Sequence, residues 1–409
     1  MTRAAGRARL GAIILVLIVG LGLGPMASAA AGTLQVAGTE LYGYLPYWEM
    51  NATVADYLAR EPLTDLELFS VSAATNGGLH RSETGYRRIT GAIGTRLIGE
   101  AHARGQRVQL VFTSFTYEKN TPFFGRPGLN WLDDRRGVQR AALLPTTAPP
   151  PWRRTARELV DLAVTLGVDG IDVDVELVRA DSHEGYADFL LDLRSRLDAA
   201  IPGARLTVAT MANRAGAALA RAAITGGVDR VFLMGYEYHW SGSDPGASAP
   251  ILRVDGSDLS LTNSIAAYAN AGVPPAKTIL GLPLFGMSWT VATPSPFAPR
   301  LERGVHWFPS NHVAQLTAPG FSPWFDWLET VEYVMTPIAS VPPTWQAIFY
   351  DSPRTLRPKL ALAVSNGFAG AGFWAIGYER GLPGYIELMA DFRAGRVTTV
   401  PAPVSPQDR

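Results

Sequence analysis

The chain of 409 residues contains no cysteine, and its charges balance. Without cysteine the protein forms no disulfide and carries no lipid on a cysteine, so its fold depends on the apolar core that a chain of this size can bury. The 36 Lys and Arg residues equal the 36 Asp and Glu residues, which gives a formal net charge of zero. Bulk charge therefore gives no attraction to nucleic acid or to an anionic membrane, and we expect neither as a partner.

The apolar run near the N-terminus, at 10–24, is shorter than the about 18 residues that indicate a membrane span. Three arginines precede this run, and the small residues Ala27, Ser28 and Ala29 follow it. This pattern predicts a secretory signal peptide over 1–29, with an uncleaved anchor as the alternative. We therefore expect a secreted protein, extracellular or in the cell wall, with no stable membrane insertion after cleavage.

The composition is that of a globular protein, with 47% apolar and 18% charged residues. Short apolar runs alternate with amphipathic stretches, which is typical of a parallel sheet built from βαβ units. Eight strands are predicted, at 41–47, 66–72, 107–113, 168–176, 205–211, 230–236, 278–285 and 370–376. Helical patterns follow most of them, for example at 155–166, 186–199 and 356–365.

Eight such units predict an α/β fold, a (β/α)8 TIM barrel over 38–396. An open doubly wound sheet is the alternative, and it is disfavoured because no glycine-rich dinucleotide turn follows the first strand.

Two segments interrupt the alternation of strands and helices. The first, 116–151, follows the third strand, which places it at the face of a barrel where active sites open. The second, 290–345, lies between the seventh strand and its helix and is rich in aromatic residues, so we predict a small inserted subdomain beside a cleft. The tail at 397–409 contains three prolines and is predicted to be disordered.

The segment 169–176 reads DGIDVDVE, and its last three acidic residues, Asp172, Asp174 and Glu176, are named here the acidic ladder. Because side chains of a strand alternate between faces, all three carboxyl groups point one way, into the interior of a closed barrel. Carboxyl groups spaced about 6–7 Å apart cannot all ionise when buried, so at least one pKa must rise. A raised pKa is what a general acid requires at neutral pH, and Glu176 lies nearest the open end.

The acidic ladder has two alternative interpretations. An exposed edge strand would solvate the three carboxyl groups, but three acidic residues in register on a β-branched strand are unusual. A carboxylate cluster can also bind Ca²⁺ or Mg²⁺. No histidine lies beside the ladder, and a strand presents its ligands in a line rather than around an ion, so no metal site is predicted.

The acidic ladder resembles the DGxDxDxE signature of glycoside hydrolase family 18, which includes the chitinases. The resemblance extends over about 40–393 and includes four further elements: YGYLPYW at 42–48, MGYE at 234–237, LGLPLFG at 280–286 with Trp289, and GFW at 372–374. The run YHW at 238–240 resembles the corresponding run in the branch of the family that contains bacterial spore-cortex and cell-wall glycosidases.

This resemblance implies a cofactor-free, retaining mechanism in which the substrate assists. Glu176 would protonate the glycosidic oxygen, and the 2-acetamido carbonyl of the substrate would be the nucleophile. Asp174 would bind the acetamido N–H, Asp172 would share a proton with Asp174, and Tyr236 would hold the acetamido oxygen. Trp374 would form the floor of the sugar site, because aromatic faces stack on sugar rings.

Further substrate-binding candidates are Tyr44, Trp48, Glu237, Trp240 and Trp289, although packing in the core is the commoner fate of a tryptophan. The chain departs from the family pattern at two places. Glu237 stands where the family has Asp, and the Ser-x-Gly-Gly of the third strand is absent.

The sequence thus predicts a monomeric glycosidase that cleaves N-acetylglucosamine-containing polysaccharide, either chitin or peptidoglycan. The alternative is a catalytically weak or inactive protein that binds these glycans. The intact Glu176 favours catalysis.

Overall fold

The computed structural model describes residues 39–74, 76–115, 151–178 and 180–398. Eight parallel strands of this part close into a barrel. They are β1 (Glu40–Pro46), β2 (Asp65–Val71), β3 (Arg107–Phe115), β4 (Gly170–Glu176), β5 (Arg205–Met211), β6 (Arg230–Met234), β7 (Thr278–Pro283) and β13 (Gly370–Trp374). The predicted TIM barrel is confirmed, and the open sheet is excluded because β1 pairs with both β2 and β13.

Most helices pack around the barrel through apolar faces, whereas the short helix Val313–Leu316 has no buried residue. The helices of the described part are α1 (Ala52–Leu58), α2 (Thr84–Ile89), α3 (Ala92–Ala103), α4 (Pro151–Leu166), α5 (His183–Ala200), α6 (Arg214–Thr225), α7 (Leu261–Asn270), α8 (Val313–Leu316), α9 (Pro353–Ser365) and α10 (Tyr385–Arg393). The sequence placed the start of α9 three residues late, at 356. Its first turn is polar and is fixed by a capping box on Ser352, which an apolar period does not detect.

The interior of the barrel differs from the layer beneath the helices. The outer layer is apolar and contains, for example, the alternate residues of β4: Ile171, Val173 and Val175. The interior holds a smaller apolar cluster that includes Tyr44, Phe69 and Phe232, next to buried acidic groups. Buried polar groups require partners, so this interior is the part of the fold most constrained by chemistry.

A five-stranded antiparallel sheet is inserted between β7 and α9. Its strands are β8 (Gly286–Val291), β9 (Val305–Trp307), β10 (Trp324–Asp326), β11 (Val331–Ile338) and β12 (Thr344–Tyr350), in the order β10-β11-β12-β8-β9. The insertion was predicted at 290–345, and its sheet runs from Gly286 to Tyr350 because β8 and β12 pair as its centre.

Some predictions lie outside the described residues. These are the signal peptide at 1–29, the segment 116–151 except for its last residue, and nearly all of the tail at 397–409. Within the described ranges, we find no helix that combines the length and the apolar character needed to cross a bilayer.

Candidate active site

The acidic ladder lies on β4 and faces the interior of the barrel. Asp172 is fully buried, Asp174 is 5% exposed, and Glu176 is partly exposed at the end of the strand. The alternating side chains of β4 enter the apolar outer layer, as the period of a strand predicts. The ladder thus leads from the barrel interior to its open end, and Glu176 is its most accessible member.

Tyr44 on β1 is held against the acidic ladder. Its hydroxyl donates a hydrogen bond to Oδ2 of Asp172, and its side chain is 2% exposed. The ring still contributes to the wall of the adjoining cavity. Tyr44 was predicted to bind substrate. Its hydroxyl binds Asp172 and is not presented to a ligand, so the prediction is corrected for this atom.

Burial raises the pKa values of the two lower carboxyl groups of the ladder. Burial raises the pKa of Asp172 to about 7, although hydrogen bonds from the Tyr44 hydroxyl and the Val173 backbone lower it. The pKa of Asp174 rises well above 3.8, first through burial and then through the charges of Glu176 and Asp172. Oδ1 of each aspartate has no hydrogen-bond partner among the described residues. Burial and mutual repulsion therefore oppose the ionisation of both groups at neutral pH.

The ladder opens into a cavity of about 790 Å³ at the C-terminal ends of the strands. This volume is in the range of about 300–1,000 Å³ that ligand pockets occupy. Asp174 and Glu176 are on its wall. The remaining polar wall is formed mainly by Ser70, Ser72, Ser82, Glu83, Thr84 and Thr113. The aromatic wall is formed by Tyr44, Tyr47, Trp48, Phe69, Tyr236, Phe285, Phe308, Trp374 and Tyr378.

Trp374 and Trp48, two of the predicted substrate-binding residues, both line this cavity. The Trp374 ring lies 4.6 Å from the Phe69 ring at an interplanar angle of 79° and 6.3 Å from the Trp48 ring. Trp48 is 47% exposed, and its Nε1 donates to the Tyr378 hydroxyl at 3.0 Å. These edge-to-face contacts fix the two indole rings while leaving aromatic surface on the cavity wall, where a sugar ring can stack.

Tyr236 follows β6 and lies on the cavity wall beside the ladder. Burial raises its pKa well above 10, and the charges of Asp174 and Glu176 raise it further. The hydroxyl is therefore neutral and able to donate a hydrogen bond at neutral pH. The Phe285 ring packs edge-on against it at 6.1 Å, which fixes its orientation.

Glu237 contacts a residue that the sequence did not single out. Its Oε1 lies 2.9 Å from Nε2 of His306 on β9, and both side chains are about half exposed on the cavity wall. Glu237 has a φ of 59°, and its N–H donates to Oγ of Ser248 at 3.0 Å. A left-handed backbone is uncommon for a residue other than glycine and often marks a functional site. His306 lies in the insertion, where no motif indicated it.

Two predicted substrate-binding tryptophans do not line the cavity. Trp289 is 1% exposed and packs on Phe349 inside the inserted sheet, so it has no surface to offer a sugar, and that prediction is wrong. Trp240 is 47% exposed but is not part of the cavity wall. The Arg303 guanidinium covers its ring at 5.5 Å.

The third strand is built without the Ser-x-Gly-Gly of the family. Val111 and Thr113 pair in register with Asp172 and Asp174. Thr113 Oγ1 and Ser70 Oγ lie 3.2 Å apart, so this part of the wall is held by side chains of β2 and β3. A fully buried acidic residue on β2, Glu67, was also missed, although a glutamate inside the apolar strand DLELFSV is a signal in its own right.

The described ranges contain no cluster of three or more His, Cys, Asp or Glu side chains able to hold a metal ion. The ladder carboxyls follow one another along a single strand, which is not the arrangement of ligands around an ion.

Comparison with known proteins identifies the family of the chain. The sequence model of glycosyl hydrolases family 18 matches residues 152–379. The candidate sporulation-specific glycosylase YdhD of Bacillus subtilis is 31% identical over 186 residues, which cover 42% of this chain and 42% of that protein. Chitinase A1 of Niallia circulans is 27% identical over 282 residues, which cover 59% of this chain and 39% of that protein. The chain therefore spans less than half the length of these curated relatives.

Among solved structures, the spore cortex-lytic enzyme SleL of Bacillus cereus has a TM-score of 0.63 at 20% identity, over 87% of this chain and 74% of that one. At this identity the likeness shows the fold. Because the family match covers more than half of the 409 residues and includes the whole acidic ladder, the chain belongs to glycosyl hydrolases family 18.

Proposed function

We propose that the protein is a secreted, retaining glycosidase that cleaves β-linked N-acetylglucosamine glycans with the help of the substrate's own acetamido group. One observation carries the proposal: Glu176 is the accessible end of a carboxyl ladder whose lower members are buried and protonated in part. Enzymes that use two carboxylates need the second one beside the sugar. Here Asp174 is only 5% exposed, which favours a role in orienting the substrate.

The arrangement supports the following steps. Glu176 donates its proton to the glycosidic oxygen, and the C1–O bond breaks as the acetamido carbonyl oxygen attacks C1. An oxazolinium ion forms, and Asp174 stabilises it through the acetamido N–H. Tyr236 donates a hydrogen bond to the acetamido oxygen, and Trp374 supports the ring from below. Glu176 then accepts a proton from water, which attacks C1 from the side that the leaving group left, and the bond between C1 and the acetamido oxygen breaks to restore the acetamido group.

The substrate class is chitin or peptidoglycan, and the relatives support both. One is named as a chitinase, and others are named as cortical fragment-lytic enzymes. The aromatic wall and the hydroxyl-rich wall of the cavity suit a neutral sugar, which presents a C–H face and polar edges. Secretion and a monomeric state are part of the proposal and rest on the sequence.

The test is hydrolysis by the wild type and by Glu176→Gln, with Glu387→Gln in α10, away from the cavity, as a matched control. Chitooligosaccharides, peptidoglycan and de-N-acetylated oligosaccharides are the substrates, and reducing ends are measured. We expect activity on an acetylated substrate, a loss of at least about 10²-fold in Glu176→Gln, and no activity without the acetyl group. Binding without release of reducing ends by the wild type would indicate the non-catalytic alternative.

A further inference from the structure

Glu67 is an acidic residue at the centre of β2 that the proposed mechanism does not use. It is fully buried in the barrel and pairs in register with Tyr44 on β1 and with Gln109 on β3. Tyr44 is the residue whose hydroxyl binds Asp172. Glu67 therefore lies near the buried end of the acidic ladder, which is Asp172.

Glu67 has a single hydrogen-bond donor among the described residues. Nε2 of Gln109 donates to its Oε1 at 2.7 Å, and the Gln109 amide is oriented by Thr207, whose Oγ1 donates to Oε1 of Gln109 at 3.0 Å. Oε2 of Glu67 has no partner in the described part of the chain. One neutral hydrogen bond does not offset the cost of burying a carboxylate, so this environment favours a neutral carboxylic acid.

The nearby cations are committed to other acids. Arg205 binds Glu40 at 3.2 Å, and Arg107 binds Asp65 at 2.8 Å. The charged or titratable groups that face Glu67 are Tyr42 and Tyr44 on β1, Asp65 on β2, Asp172 on β4 and Arg205 on β5, while β3 presents the uncharged Gln109. Burial, then the charges of Asp172 and Asp65, raise the pKa of Glu67 well above 4.5.

We propose that Glu67 is a fourth carboxyl group of the ladder, a positioning residue that stays protonated and thereby lets Asp172 carry a negative charge. This inference rests on the proposed function. When Asp174 turns toward the acetamido N–H, the shared proton leaves an oxygen of Asp172 and remains bonded to Asp174. Asp172 becomes a carboxylate, stabilised by the Tyr44 hydroxyl and by the neutral dipole of Glu67. An ionised Glu67 would oppose this step through like-charge repulsion.

The test compares Glu67→Gln with Glu67→Met by measuring kcat/KM against pH. Glutamine is neutral, has nearly the same shape and can still donate a hydrogen bond. We therefore expect the acid limb of the Glu67→Gln profile, which is the fall of kcat/KM at low pH, to coincide with that of the wild type. Methionine fills the space without a polar atom, so Asp172 ionises less readily and the acid limb moves up by at least about 0.5 pH unit. Glu61→Gln is the matched control, because Glu61 is another buried acid, beside Glu379 and outside the ladder. Its profile should not move.

Two results would overturn the proposal. If the acid limb of Glu67→Gln moves down, the wild-type residue is ionised and its charge had raised the pKa of Asp172. If the acid limbs of both Glu67 variants coincide with that of the wild type, the residue is not coupled to the ladder. Thermal melting verifies that each variant is folded.

An infrared titration makes this test independent of turnover. A neutral carboxylic acid has a C=O band that a carboxylate lacks, so the wild type at pH 7 should show one band that Glu67→Gln loses. An unchanged spectrum refutes a protonated Glu67. If the wild type hydrolyses none of the N-acetylglucosamine glycans, the proposed function fails, and the infrared result still decides the protonation of Glu67.

Discussion

The stability of the protein should depend on pH through Asp172, and Asp172→Asn should remove that dependence. The folded-state pKa of Asp172 is about 7, against 3.8 when solvated. A pKa raised by folding contributes stability that is complete below about pH 4 and is lost as the pH rises to about 7. At about 1.4 kcal/mol per pKa unit, the rise from 3.8 to about 7 corresponds to about 4 kcal/mol. Asparagine does not ionise, and we expect it to recover about 2–4 kcal/mol at pH 8, because Asp174 takes up part of the effect.

The assay is urea unfolding of wild type and Asp172→Asn at several pH values between 4 and 8. The control is Asp258→Asn, which replaces an aspartate that is 70% exposed and pairs with Arg214 at 3.6 Å. An exposed pair contributes about 0–1 kcal/mol, so this control should follow the wild type. The reasoning is refuted if Asp172→Asn loses as much stability as the wild type between pH 4 and pH 8.

Three further predictions concern other sites. Glu61 is buried beside Glu379, and burial and that charge raise its pKa, so Glu61→Gln should gain about 1–3 kcal/mol at pH 8 but not at pH 4, measured by urea unfolding. Trp374→Ala removes the aromatic floor and should raise KM for chitooligosaccharides about tenfold with a smaller change in kcat; an unchanged KM would place the sugar elsewhere. Glu237→Gln and His306→Ala should each lower kcat/KM about 3–10-fold. Because the two side chains are in contact, kcat/KM of the double variant should be no lower than that of the less active single variant.

Most of the barrel was predictable because local patterns determine it. The period of two on β4 placed the carboxyl groups of the ladder on one face, and the structure shows that face inside the barrel. The bounds of β5, at 205–211, were predicted without error. The predicted end of the sixth strand, 236, was two residues too far, because the backbone turns at Tyr236 and Glu237 to form the cavity wall.

What the sequence did not reveal depends on contacts between distant residues. His306 reaches Glu237 from 69 positions away, through a strand of the insertion. Trp289 matched a family element, yet the inserted sheet buries it against Phe349. Glu67 became significant only when the barrel brought β2 beside the ladder, because its chemistry comes from what surrounds it and not from a motif.

The central claim is that C1 is attacked twice, first by the acetamido oxygen of the substrate and then by water, with Glu176 as the acid. The most direct measurement is the anomeric configuration of the first product, followed by proton NMR during hydrolysis of a chitooligosaccharide. Attack by the acetamido oxygen and then by water inverts C1 twice, so the β anomer should form first and then mutarotate to the equilibrium mixture. An initial product in the α configuration would show a single inversion by water and would contradict the account.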